Sequence, residues 1–148
     1  MTPDVPAAHG LKRHLLSDYL HADHGSIVFT IPDGILPGFL IDAFNATIKG
    51  ELAHAARLVE PNNEAIVDRM MAECWPGGLL ASMILATVLQ RLGHLDEAIQ
   101  RYETLLAVEP NALILNELGE IYLGLGLPSR ALDYQQKAMQ ADPHDYAI

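Results

Sequence analysis

A nineteen-residue pattern occurs twice in this chain: LGHLDEAIQRYETLLAVEP at 92–110 returns as LGLPSRALDYQQKAMQADP at 125–143. The offset is 33 residues throughout, carrying Gly93 to Gly126, Asp96 to Ser129, Ala98 to Ala131 and Pro110 to Pro143. A short unit cannot bury its own apolar face and must stack on its neighbours. A fixed spacing of this size therefore points to an open array of repeats rather than a closed globule.

Each unit reads as a helical hairpin, 79–91 with 96–108 and 112–124 with 129–141, because Leu, Ile, Ala and Tyr recur three and four apart. Asp96 and Ser129 are expected as caps of the second helices, where a short oxygen-bearing side chain meets free N–H groups. Gly93, Gly124, Gly126 and Pro128 supply the turns; Pro110 and Pro143 close the units. Ala98 and Ala131 fall where two helices cross too closely for a larger side chain.

With Leu115, Leu118-Gly119, Tyr122, Ala131 and Pro143 in register, the second unit resembles the tetratricopeptide repeat family, whose pattern is W-x2-L-G-x2-Y, A-x3-F and P. Gln135 stands where the family has its second aromatic. The first unit offers Ser82, Leu85-Ala86 and Leu89, then Gly93, Ala98, Tyr102 and Pro110. The resemblance implies an all-α fold: antiparallel helical hairpins stacked as a short right-handed solenoid, with an irregular helical N-terminal cap. Units 79–111 and 112–145 then make up region 79–148. Asp145-Tyr146-Ala147-Ile148 has the look of a further first helix, so the chain is expected either to be a fragment whose repeats continue or to self-associate through that end.

Residues 1–78 are expected to be mostly helical and to cap the array, since an end repeat cannot cover its outer face. LKRHLLSDYLHA (11–22) predicts an amphipathic helix burying Leu11, Leu15, Leu16 and Tyr19. SIVFTIP (26–32) is rich in β-branched residues and reads as extended. A helix is expected over 33–49, beginning near residue 36 because of Pro37. Gly50, Leu52 and Ala55 repeat the spacing of Gly93, Leu95 and Ala98, a degenerate repeat whose proline, Pro61, comes six residues early. Asn63 is expected to cap a helix running to Trp75, and Pro76-Gly77-Gly78 to break it.

Charge narrows the partners. The net charge is −10, with ten acids against five bases in 1–75 and nine against four in 76–148. An evenly acidic chain without a basic patch argues against nucleic acid or an anionic membrane and leaves room for a basic or partly apolar peptide. No signal peptide or membrane span is readable. The one cysteine, Cys74, has no internal partner. A cytoplasmic location is the expectation, and the Asn45-Ala46-Thr47 sequon then has no role.

No catalytic constellation stands out, so the chain is not expected to be an enzyme, and no cofactor is implied. His14, Asp18 and His21 would share one face of an 11–22 helix, with Asp23 and His24 beside them. Such a set can ligate a metal, yet it reads better as a solvated face, and no metal site is assigned. Cys74 reads as a buried small hydrophobe, Met70, Met71 and Met83 as core fillers, and Gly124-Leu125-Gly126 as a turn after a helix rather than a phosphate loop.

What the resemblance implies is recognition in a concave groove lined by the first helix of each unit. Its positions here are Leu80, Met83, Thr87, Gln90 and Arg91, then Leu113, Asn116, Glu120 and Leu123. Asn116 can hydrogen-bond a peptide backbone and Glu120 can meet Lys or Arg. Repeats that clamp acidic chaperone tails carry cations here; Glu117 and Glu120 oppose that partner. ALILNELGEIYLGLG is also similar to the repeats ahead of peptide O-linked sugar transferases, although Glu117 rather than asparagine directly precedes Leu118-Gly119. The first expectation is a scaffold binding a peptide or helix, as adaptor, chaperone or assembly factor. The alternative is the non-catalytic, substrate-presenting N-terminal part of a larger enzyme such as a glycosyltransferase.

Overall fold

The computed structural model describes residues 16, 19–23, 26–32 and 34–141. A two-stranded antiparallel ribbon comes first, β1 (Leu20–Asp23) and β2 (Ser26–Phe29), in register from Leu20 against Phe29 to Asp23 against Ser26. Seven helices follow among the described residues: α1 (Gly38–Ile48), α2 (Leu52–Leu58), α3 (Pro61–Ala72), α4 (Gly78–Arg91), α5 (Leu95–Val108), α6 (Ala112–Gly124) and α7 (Pro128–Ala141). The architecture is an all-α helical repeat apart from that short ribbon.

The three hairpins α1–α2, α4–α5 and α6–α7 turn in the same way. Gly50, Gly93 and Gly126 sit just past the first helix of each at φ of +79°, +84° and +77°, a left-handed backbone that a Cβ disfavours. Around each glycine two amides return to the last helical turn. Gly93 N–H donates to Gln90 O at 3.1 Å and His94 N–H to Leu89 O at 2.9 Å. The same pair closes at Gly50 with Thr47 and Ala46, and at Gly126 with Leu123 and Tyr122. Five residues beyond each glycine an alanine is buried between the helices: Ala55, Ala98 and Ala131.

The sequence reading needs four corrections. Of the expected 11–22 helix, residues 11–15, 17 and 18 lie outside the described residues, and Leu20–Asp23 is a strand, because pairing with the β-branched Ile27-Val28 stretch satisfies its backbone groups. Leu16 and Tyr19 are nevertheless buried as expected. Pro61 does not end α2 but begins α3, at a position where its missing N–H costs nothing. Asn63 therefore lies inside α3, and its Nδ2 donates to Leu58 O at 2.8 Å, capping the end of α2 instead. Asp96 and Ser129 are second residues of their helices rather than caps. The side chain that does cap is Asn111, whose Oδ1 accepts from Leu113 N at 2.8 Å and Ile114 N at 3.4 Å.

The core is centred on α4. Eleven of its residues are buried, Gly78 to Ala86 with Val88 and Leu89, because α1, α3 and α5 all pack on it. Leu36, Leu40 and Ala43 join Leu80, Met83 and Leu85 in a single apolar cluster. Arg101 of α5 ties in α3 through Asp68 at 3.0 Å and Glu64 at 3.3 Å. Leu16 N–H donates to Glu109 Oε1 at 2.6 Å, joining the start of the described chain to the end of α5. In the last hairpin Tyr134 stacks on Tyr122, ring centroids 5.4 Å apart. An aromatic is thus supplied one residue before Gln135, the residue occupying the expected slot.

Candidate peptide-binding face

The nine residues expected to line a groove do not lie on one surface. Leu80 and Met83 are 1% and 0% exposed. They correct the expectation for the first unit: the face of α4 that a bare repeat would leave open is packed into the core shared with α1 and α3. Thr87 and Gln90 are half-buried and Arg91 exposed; on α6, Leu113 and Asn116 are half-buried, and Glu120 and Leu123 exposed.

Where α4 ends, these side chains enter a polar network. Arg91 Nη1 donates to Thr47 Oγ1 at 3.1 Å, and its guanidinium lies 5.0 Å over the Phe44 ring, so α1 holds it by a hydrogen bond and a cation–π contact. The Tyr102 hydroxyl donates to Gln90 Oε1 at 2.8 Å. Thr87 Oγ1 donates to Met83 O at 3.0 Å and lies 3.3 Å from the Tyr102 oxygen. Each hydroxyl has a single proton. Tyr102 gives its own along the 2.8 Å contact, which leaves the threonine proton divided between the Met83 carbonyl and the phenol oxygen. Burial pushes the Tyr102 phenol well above its ordinary pKa, so it stays a donor.

Gln90 presents its oxygen to Tyr102 and its amide nitrogen to Glu117, the residue that sequence reasoning passed over as a groove member. Burial raises the Glu117 pKa above the ordinary glutamate value, the hydrogen bond from Gln90 lowers it, Glu120 raises it again and Arg91 lowers it. The arrangement is a partly desolvated carboxylate beside a second carboxylate, on the helix that carries Asn116 and Leu113. Such a pair attracts a cation with its own donors. Glu117 was visible in the sequence as the residue before Leu118-Gly119. Its coupling to Gln90 was not, because that depends on how α4 and α6 are set against each other.

His14, Asp18 and His24 of the weighed metal cluster lie outside the described residues, and His21 is in β1 rather than on a helix. Among the described residues no group of three metal-ligating side chains is assembled. Cys74 is exposed, which corrects the reading of it as a buried hydrophobe. None of the described helices is long and apolar enough to cross a membrane.

Comparison with known proteins bears on the same stretch of chain. Residues 85–146 match the tetratricopeptide repeat family model. A plant protein, the CTR9 homolog of Arabidopsis thaliana, is 39% identical over 62 residues, which is 41% of this chain and 6% of the relative. The chain thus spans a small fraction of that relative's length. The 33-residue period, the glycine turns, the buried alanines and the family match agree, and over residues 85–146 the chain is similar to the tetratricopeptide repeat family.

Proposed function

We propose that this chain is a protein-interaction scaffold and that a basic, partly apolar peptide binds the face made by α6 and the C-terminal end of α4. Within that face Asn116 bonds the peptide backbone, Leu113 and Leu123 meet its apolar side chains, and Glu117 with Glu120 receives a lysine or arginine. Thr87, Gln90 and Arg91 form the far wall. The observation carrying this reading is the partly buried Glu117 carboxylate, whose charge is incompletely compensated by Gln90 and Arg91. Region 1–78 acts as a cap on units 79–111 and 112–145, and the packing of α1 on α4 supports that division.

The test is an array of synthetic peptides with varied lysine and leucine spacing, probed with the purified chain, followed by titration of the best binder. Glu120→Lys reverses an exposed charge and leaves the fold intact. It is expected to weaken a lysine-bearing peptide at least tenfold, and an acidic peptide of the same length should not bind the parent chain. A binder indifferent to the charge reversal would overturn the assignment of this face.

A further inference from the structure

Away from that face, a cleft of about 410 Å³ opens between α3 and the turn that leads into α1. Its walls are Ile35, Leu36, Pro37, Ile66, Met70 and Trp75, with Arg69 at the edge. The size falls within the range of small-ligand pockets, on the order of 300–1,000 Å³. Two of its large apolar side chains are left partly open to solvent: Ile66 at 44% and Trp75, the chain's single tryptophan, at 38%.

The polar groups at this mouth are pre-positioned. Glu73 holds both of them, Oε2 accepting from Arg69 Nε at 2.9 Å and Oε1 from Trp75 Nε1 at 3.1 Å. The indole is thereby fixed at its nitrogen end. A guanidinium has five N–H donors in a planar fork, and the contact to Glu73 uses the one on Nε. The four on the terminal nitrogens keep the geometry that takes a carboxylate bidentately. The turns on either side are also held together: a Cβ on Gly77, two residues after Trp75, would collide with the carbonyl oxygen of Ile35 in the cleft wall.

We propose that this cleft binds a molecule with an aliphatic body and a carboxylate head, the body lying against Ile35, Ile66, Met70 and Trp75 and the head on the outer edge of Arg69. A medium-chain free acid and the C-terminal residue of a peptide share that chemistry. The site has no residue in common with the peptide face on α4 and α6, so either assignment can fail without the other.

Trp75 reports occupancy directly, because it is the chain's one indole. Its emission would be followed during titration of the purified chain with sodium octanoate, with acetyl-Ala-Ala-Leu bearing a free carboxylate, and with the neutral controls octanol and acetyl-Ala-Ala-Leu-amide. The expected result is a saturable blue shift with at least one acid, at least fivefold weaker with its neutral control. Tighter octanoate binding identifies a free acid as the source and tighter tripeptide binding a chain end; either sustains the proposal. Arg69→Gln is expected to weaken binding about tenfold, the loss of a charge-assisted contact. Ile66→Asn should weaken acid and neutral control alike. Both residues are largely exposed, so the circular dichroism spectrum and melting temperature should stay close to the parent's. No saturable shift with either acid, or an undiminished response in Arg69→Gln, would overturn the site.

Discussion

The phenolic hydroxyl of Tyr102, on the second helix of its hairpin, donates to Oε1 of Gln90, on the first, at 2.8 Å. Tyr102 is fully buried, so this contact fixes which way the Gln90 amide points and turns its nitrogen toward Glu117. Tyr102→Phe keeps the ring and removes the donor, leaving Gln90 Oε1 without that partner. The expected cost is about 1 kcal/mol, read as a lower urea midpoint at unchanged slope. A midpoint equal to the parent's would mean that the hydroxyl has no part in orienting Gln90.

Glu117 gives a pH signature. Burial holds its pKa in the folded chain above the ordinary glutamate value, so folding favours the protonated form. The stability associated with this proton is fully present below the unfolded pKa and is lost as pH rises through the folded one. At pH 7 the ionised, partly buried side chain therefore works against the fold. Glu117→Gln retains an oxygen for Gln90 and removes the charge. Its melting temperature is expected to exceed the parent's at pH 7 and to converge on it below about pH 4, where the parent glutamate is protonated in both states. An equal difference at both pH values would mean that the pKa is not raised.

Most of the repeat was legible because its signals are local. A glycine needing positive φ, an alanine five residues on and apolar residues at helical spacing specify a hairpin wherever they occur, and the expected helices at 79–91, 96–108, 112–124 and 129–141 differ from the observed ones by a residue at most. Pro61 misled the reading because proline can end a unit or begin the next helix, and the sequence does not distinguish the two. Leu80 and Met83 were misplaced for a different reason. A repeat pattern describes a unit among identical neighbours, whereas α4 has α1 and α3 against it, from a region whose packing follows no period. Arg91 shows the same effect, since Thr47 and Phe44 reach it from 44 and 47 residues away.

Cys74 occupies a position where this fold otherwise uses glycine. Its φ is +56°, the one positive value among the described non-glycine residues. The bonds around it match those at Gly50, Gly93 and Gly126: Cys74 N–H donates to Met71 O at 3.2 Å and Trp75 N–H to Met70 O at 3.0 Å. A left-handed L-residue costs roughly 1–2 kcal/mol, partly offset by the greater unfolded-state freedom of glycine. Cys74→Gly is accordingly expected to stabilise the chain by about 0.5–1 kcal/mol and to raise its melting temperature. A lower one would show that the thiol makes a contact worth more than the backbone strain.

Ala98 and Ala131 are equivalent in the sequence but not in their surroundings, and enlarging them should separate the two hairpins energetically. Ala98 is 0% exposed beside the fully buried Tyr102, on a helix packed against the core-forming α4. Ala131 is 2% exposed on α7, whose outer face leaves Leu132 and Met139 about half open. Contact there is close: a Cβ on Gly119 would come within 3.1 Å of Gln135 Cγ and 3.3 Å of the Ala131 carbonyl oxygen. Overpacking costs about 1–3 kcal/mol when neighbours cannot move. Ala98→Leu is expected near the upper end, because α3, α5 and α1 confine α4 and leave nothing to yield. Ala131→Leu should fall near the lower end, since α7 packs chiefly on α6 and leaves Leu132 and Met139 on an open face. Urea midpoints of the two variants measure the difference, and a larger loss for Ala131→Leu would mean that the last hairpin is held as rigidly as the core.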